Sequence, residues 1–512
     1  MATIVSHFAP WTSFSRSSPS GKTISLVIAL IVLENERMDE AFLFAARHLA
    51  AAFLALPEAA AGHSDPVIPI LLTLVFLTLG AAFGGRLMGW LKQPAVLGEL
   101  LLGIVAGNLG YMFGNRVVTV LREGDSVRRI AEHALTNNVN LPQAVQAILP
   151  AGESAARVAA ALAGPHGLSY ISVYSFVDML SRLAILVLLF LVGLETNLGE
   201  MRRVGRSALQ VAVIGIVLPM LLGLGVMWLL QPSSFIARDL FVGGILTATS
   251  VGITARVLRD LGQERRDESR IILGAAVIDD VLSLIVLAIV SGLAVSGSVS
   301  LLGISLISFK AAAFLAGSLS IGIWLTPRLV RRLAGAGIQN LKLLFGWSFA
   351  FFLAWLADRS GLAAIVGAFA AGMILNDFFD RELEGLSLRA LLSPVESLIV
   401  PLFFVWMGLQ VKLESLFDAK VLLIGSALTV VAIIGKLAAG LGCPKGHRLA
   451  VGIGMIPRGE VGLIFAGIGK SIGVVDDGLF SAVVVLVMVT TLLAPVLLRW
   501  VFAEKPAAPA PA

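Results

Sequence analysis

The sequence predicts an all-α polytopic membrane protein of about thirteen transmembrane helices, arranged as inverted-topology repeats with two crossed, broken helices. Composition, the spacing of apolar runs and an internal duplication predict it. Of 512 residues, 57% are apolar and only 14% charged, with a mean hydropathy of +0.93. Soluble domains carry about 25% charged residues, so a soluble enzyme is excluded. Thirty-eight Lys and Arg against 33 Asp and Glu leave a formal charge of +5, too small and too scattered a surplus for a nucleic-acid partner. The expected partner is the lipid bilayer. One cysteine, Cys443, rules out an internal disulfide.

Residues 1–66 read as a leader or signal-like segment, with a Ser-rich start and an apolar run from Ile24 to Leu33. Met38 then precedes Arg47, a second apolar run and Ala59-Ala60-Ala61, and it offers an alternative start. The transmembrane domain is expected over 67–503. Segments long enough to span occur at 67–91, 94–114, 177–194, 207–231, 239–258, 270–293 and 300–327, then at 341–357, 361–377, 394–412, 420–443, 447–471 and 478–503. Residues 504–512 form an Ala/Pro tail. Arg202, Arg203 and Arg206, then Arg259, Arg265, Arg266 and Arg270, then Arg328, Arg331 and Arg332 fall on alternate loops. An excess of Lys and Arg marks cytoplasmic loops, so the first span starts outside and the C-terminus lies inside an inner (plasma) membrane. The long connection 115–176 carries both signs and helix-like runs such as Ala155 to Leu162, and reads as an extracytoplasmic amphipathic cover.

The duplication is visible in the third and tenth spans. Leu189-Phe190-Leu191-Val192-Gly193-Leu194, followed by Leu198, recurs as Leu402-Phe403-Phe404-Val405 with Gly408-Leu409 and Leu413, about 212 residues on. Gly98 to Gly107 likewise resembles Gly367 to Gly372, at an offset enlarged by the long connection. A shift of seven spans is odd, so the two halves are expected to lie upside down relative to each other, a plan of secondary transporters.

Asp279 and Asp280 stand about ten residues into the sixth span, near the bilayer midplane at a rise of about 1.5 Å per residue. A carboxylate at a helix centre costs roughly 2.5 to 3.5 kcal/mol on insertion scales, so two in succession point to function. Neighbours on a helix diverge by about 100°, which lets one acid face a packed helix and the other a cavity. Lys436, in the eleventh span, lies at a matching depth and is the candidate partner of Asp279; Lys310, in the seventh, is the rival. The fifth and twelfth spans look broken. Thr247-Ala248-Thr249-Ser250-Val251-Gly252-Ile253-Thr254 offers hydroxyls and a glycine as alternatives to helix bonding, and Met455-Ile456-Pro457-Arg458-Gly459-Glu460 holds Pro, Gly and both charge signs. Unwinding there leaves positive half-helix N-termini that Glu460 can balance and negative C-termini that Arg458 can balance.

On these residues the sequence resembles the monovalent cation:proton antiporter-2 family, bacterial Na+/H+ antiporters with crossed discontinuous helices. The resemblance spans about 67–503. It rests on Gln93-Pro94-Ala95-Val96-Leu97-Gly98-Glu99, Phe190 to Glu195, Thr249 to Arg256, Asp279-Asp280, Gly435-Lys436 and Pro457 to Leu463. It implies that Asp280 is the ion-binding carboxylate, with Thr249 a further Na+ ligand, and that Asp279 pairs with Lys436. It also implies a crossover of Thr249, Ser250, Gly252, Pro457, Arg458 and Glu460, and a homodimer whose six-helix core moves against a static domain. Members that release K+ under thiol control usually carry Gln before the ion-binding Asp and a nucleotide-binding domain. Here Asp279 stands in that place, and the segment after the last span is the Ala/Pro tail. The connection 115–176 is also longer than the family's loop.

The expected function is exchange of Na+ or Li+ for H+ by alternating access, with no resident cofactor and no enzymatic activity. The ion and protons compete for Asp280, and since burial penalises the charged form of acids and lysine alike, the Asp279/Lys436 pair can also exchange a proton. Two protons per Na+ would make exchange electrogenic, worth about 2.3 kcal/mol per net charge per 100 mV. A K+/H+ antiporter or K+ efflux subunit is the alternative. An intramembrane aspartyl protease needs its acids on different helices, and a non-transporting scaffold would not need Asp279, Asp280 and Lys436 intact.

Overall fold

The computed structural model describes residues 67–503 apart from 92, 150–151, 196–204, 233–235, 262, 264–265, 297–300, 335–340, 376–385 and 445–446. The expected leader and Ala/Pro tail therefore lie outside the described residues. All regular structure among those residues is helical. The spans are, in order, Val67–Trp90, Ala95–Met112, Gly167–Glu195, Arg206–Leu230, a fifth in two halves (Ile236–Ile245 and Val251–Asp260), Asp267–Ser296 and Leu301–Ala334. They continue with Leu341–Arg359, Ala364–Leu375, Leu388–Leu409, Ala419–Ala439, a twelfth in two halves (Arg448–Gly454 and Glu460–Ser471) and Asp477–Ala503. Ten of these helices are long and apolar enough to cross a membrane. The other three spans are the two broken ones and the ninth, whose twelve residues are apolar all round and buried from Ile365 to Leu375, as a helix enclosed by other helices must be.

The spans sort into two bundles. The fourth, fifth, sixth, eleventh, twelfth and thirteenth pack together; the first, second, third, eighth, ninth and tenth form the other bundle, and the seventh runs along the sixth, eighth and ninth. Hydrophobic burial does not drive helices together in lipid, so close approach depends on small residues. In the second bundle Gly103 of the second span meets Gly408 of the tenth, and Gly193 of the third meets Gly372 of the ninth. Each contact exchanges with the other under the seven-span shift, so the glycines that mark the duplication in the sequence are the ones that let its copies cross. A Cβ on Gly193 would collide with the Phe369 carbonyl, whereas one on Gly89 of the first span meets open space. Gly193→Ala is therefore expected to lower stability by about 1 to 3 kcal/mol, while Gly89→Ala stays neutral or gains up to about 1 kcal/mol. Thermal unfolding in detergent checks the pair.

The connection 115–176 differs from its expected form. It folds into four helices, Arg116–Arg122, Asp125–Asn137, Leu141–Ile148 and Glu153–Ala163, and its last ten residues belong to the third span, which begins at Gly167 and not near 177. Those ten residues, with Ser169, Tyr170, Ser172 and Tyr174, are too polar to read as a span, but the covering helices bury Tyr170, Val173 and Tyr174 and continue the helix. The Tyr174 hydroxyl faces Asp125 at 3.4 Å, and Arg182 reaches the same carboxylate at 3.1 Å.

Paired charges fasten the cover. Lys412 Nζ lies 2.8 Å from buried Glu123 and 2.7 Å from Asp477, and Lys470 adds a 3.0 Å contact to Asp477. Ser154 donates to Glu123 at 2.6 Å. Burial alone would lower the Lys412 ammonium, but the Glu123 and Asp477 carboxylates outweigh it and hold the group above its ordinary value. Beside this cluster the buried Arg122 donates to Asn108 Oδ1 at 2.8 Å, pairs with Glu414 and lies 4.4 Å from the centre of the Tyr111 ring. The both-sign composition of this segment is thus a set of anchors joining it to Asn108 of the second span, to Lys412 and Glu414 just after the tenth, and through Lys412 to Asp477 of the thirteenth, since charges are buried only when paired.

Candidate functional site

The fifth span is helical to Ile245 and again from Val251; the twelfth stops at Gly454 and resumes at Glu460. Each break falls where the sequence supplies hydroxyls, Gly or Pro, and each leaves backbone groups that a continuous helix would have paired. Their partners cross from one break to the other. The Ser250 amide donates to the Pro457 carbonyl at 2.8 Å, the Thr254 hydroxyl to Gly454 O at 2.8 Å and the Thr249 hydroxyl to Met455 O at 3.5 Å. In return, Arg458 sends its guanidinium to the Ala248 carbonyl, beyond the C-terminal end of the first half-helix, with a longer contact of 3.5 Å to Ala432 O in the eleventh span. Thr491 of the thirteenth span donates to Arg458 O at 2.6 Å. Gly459 lets the breaks approach, because a Cβ there would lie 2.6 Å from Ser250 Oγ.

Lys436 enters this crossing from the eleventh span. Its ammonium donates to Asp279 Oδ1 at 3.1 Å and to the Thr247 carbonyl at 2.6 Å, and both Lys436 and Asp279 are fully buried. Room for the lysine comes from small residues: Gly435 packs on Pro219 of the fourth span, and a Cβ on Gly215 would stand 3.4 Å from Lys436 Nζ. Asp279 Oδ2 is buried with no hydrogen-bond partner among the described residues. Lys310, the alternative partner, is exposed on the seventh span.

Asp280 turns the other way. It is 8% exposed and lines a small cavity with Leu284 of its own helix, Val461 of the twelfth span, Leu189 and Val192 of the third and Phe369 of the ninth. That cavity lies on the seam between the bundles. Thus one acid is tied inside the first bundle and its neighbour faces the second, the divergence of about 100° that consecutive helical residues impose.

The structure brings Asp279, Lys436, Thr249, Ser250, Pro457 and Arg458 together at the crossing; Gly252 lies in the first turn of the half-helix that follows it, and Asp280 stands on the seam beside it. Glu460 opens the second half of the twelfth span, and its side chain, with the expected balancing of an N-terminus, lies outside the described ones. Sequence reasoning missed the Thr247 and Ala248 carbonyls, because main-chain acceptors have no signature of their own. It also missed Thr254 as a bridge and Thr491, one of two adjacent threonines in the apolar middle of the thirteenth span. Among the described residues no three His, Cys, Asp or Glu side chains cluster as a transition-metal site would need. Carboxylate, hydroxyl and main-chain oxygens are instead the donors that suit a hard monovalent cation.

Known proteins agree with this architecture. The family described as sodium/hydrogen exchanger, transmembrane, matches residues 154–504. The high-affinity Na(+)/H(+) antiporter NhaS3 of a Synechocystis species is 36% identical over 86% of this chain and 92% of its own length. The Na(+)/H(+)-K(+) antiporter GerN of Bacillus cereus is 33% identical over 67% of this chain and 87% of its length. Among solved structures, the sodium proton antiporter MjNhaP1 of Methanocaldococcus jannaschii superposes with a TM-score of 0.55 at 15% identity, covering 86% of this chain and 98% of that one, and so shares its fold. With its crossed half-helices, buried acids and multi-pass architecture, the chain belongs to the sodium/hydrogen exchanger family.

Proposed function

We propose that the protein exchanges Na+ or Li+ for H+ across an inner (plasma) membrane by alternating access, with its N-terminal side outside, its C-terminus inside and residues 115–176 on the external face. The observation that carries the reading is the split orientation of the neighbouring acids: Asp279 held at 3.1 Å by Lys436, Asp280 on the seam between the bundles. In this reading Asp280 binds the cation together with the Thr249 hydroxyl and main-chain oxygens of the breaks. Movement of the bundle holding the fourth to sixth and eleventh to thirteenth spans exposes Asp280 alternately to the two sides. Protons reoccupy the acids on the return, and no covalent chemistry is involved. With Asp280 and the Asp279/Lys436 pair both changing protonation, two protons move for each Na+ and exchange is electrogenic. We extend to this chain the homodimer implied by its sequence resemblance.

GerN carries K+ as well as Na+ in its name, which favours keeping K+ exchange as the second reading. Everted vesicles with an imposed pH gradient and a pH-sensitive dye separate the two. Na+ and Li+ are expected to dissipate the gradient at concentrations at which K+ leaves it intact. A response to K+ alone would replace the main reading with the second.

A further inference from the structure

Between the seventh and eighth spans lies an open groove of about 250 Å³ that the exchange chemistry does not use. We propose that it binds one anionic phospholipid, an acyl chain lying between the spans and the phosphate held by Arg328 and Arg332. The walls are apolar over most of their length, with Phe314, Ile321, Leu325, Phe345, Phe349 and Phe352 among them, and extend on the seventh span from Ala313 to Leu329. The sixteen steps from Ala313 to Leu329 cover about 24 Å along a helix, more than the roughly 15 Å of hydrocarbon in one leaflet.

Three features at the far end of this groove distinguish a lipid with a charged headgroup from a bare hydrocarbon tail. First, Thr326 lines the groove, is 2% exposed, and its hydroxyl has no hydrogen-bond partner among the described residues. A buried hydroxyl without a partner costs free energy, and a turn of the Thr326 side chain toward the groove would let an acyl-ester oxygen of a phospholipid satisfy it. Second, the lining positions step along the seventh span as Ile321, Leu325 and Leu329, so the next turn of the same face brings Arg332, with Arg328 at its margin. Both arginines are exposed, and guanidinium groups match phosphate oxygens by geometry as well as charge. Third, the Arg328 guanidinium stacks 4.0 Å from the centre of the Trp324 ring, an aromatic-cationic pair of the kind found where headgroups begin. At the groove's middle Gly317 has no atom within 4 Å of an added Cβ, so the slot is open where an acyl chain would pass.

The full-length protein in detergent, melted with added phosphatidylglycerol, with phosphatidylcholine of the same chains, or with soluble glycerol phosphate, tests the assignment. Phosphatidylglycerol is expected to raise the melting temperature most and to be retained in native mass spectra, while glycerol phosphate has no effect. Arg328→Gln/Arg332→Gln should weaken apparent phosphatidylglycerol affinity roughly thirtyfold and remove the preference over phosphatidylcholine. Gly317→Phe, which fills the slot, should abolish the response to either lipid. Thr326→Val should melt higher than the parent without lipid, because the unpartnered hydroxyl is gone, yet gain less from phosphatidylglycerol; this variant still decides the matter if Gly317→Phe does not fold. Equal shifts from the two lipids in the parent protein, or an unchanged preference in the arginine variant, overturn the proposal. So does conversion of a dimer to a monomer by Gly317→Phe without lipid, which would assign the groove to a second copy of the chain.

Discussion

Asp280→Asn is expected to reduce Na+-driven proton movement in everted vesicles to the background of empty membranes, with little change in melting temperature. The substitution keeps the shape of the side chain and removes only its charge. The acid lies at the edge of a cavity between bundles, and its loss leaves the core of either bundle intact. For transport the charge decides. At an effective dielectric of 20, opposite unit charges about 4 Å apart attract by about 4 kcal/mol, close to three powers of ten in affinity. Dropping that attraction leaves only hydroxyl and carbonyl dipoles to offset the cation's dehydration, without the roughly thousandfold that the charge supplies. The same variant also loses a group that must take up a proton on the return, so raising Na+ should not restore activity. Exchange by Asp280→Asn at the parent's Na+ dependence would move the ion site elsewhere, while a large fall in melting temperature would mean that Asp280 supports the fold.

Much of the architecture was legible because lipid leaves the chain few choices. A charged pair such as Asp279-Asp280 inside a long apolar run is conspicuous, and so is Pro457 within the twelfth span, since neither suits an ordinary helix in hydrocarbon. The glycines of the duplicated pattern were visible for the same reason: a close helix crossing leaves no room for a side chain, so Gly103, Gly193, Gly372 and Gly408 mark contacts as well as repeats. Depth along a helix follows from residue counting, and that was enough to nominate Lys436 for Asp279. Choosing it over Lys310 needed to know which helices are neighbours, and periodicity does not contain that information.

What stayed hidden depends on packing between distant segments. The Thr247 carbonyl that shares Lys436 with Asp279 is a main-chain atom, and every residue type has one. Residues 115–176 looked like a cover without chemistry because Glu123, Lys412, Lys470 and Asp477 are far apart in sequence and none falls in a recognisable pattern. The polar start of the third span was masked by the same effect, its tyrosines and serines being tolerated through contacts with helices that hydropathy cannot anticipate.

The Asp279/Lys436 contact yields a prediction in which the second substitution reverses most of the damage done by the first. Lys436→Met leaves Asp279 fully buried without its cation, and Asp279→Asn leaves the ammonium without its anion; breaking a buried pair from one side destabilises by about 3 to 5 kcal/mol. The double variant carries neither charge, so it should recover most of that loss. It should fall short of the parent by about 1 kcal/mol, because the Thr247 carbonyl still lacks the donor it had at 2.6 Å. Denaturation in detergent of the four proteins completes the cycle, and a double variant no more stable than either single one would mean that the two residues are buried independently. Transport adds a readout that packing alone would not move. If the pair carries one of two protons, the double variant still exchanges Na+ through Asp280 but moves one proton per ion, and its rate stops responding to an imposed membrane potential. Should the potential continue to drive the double variant as it drives the parent, the second proton must travel on another group, and the pair is a structural brace at the crossing of the broken helices.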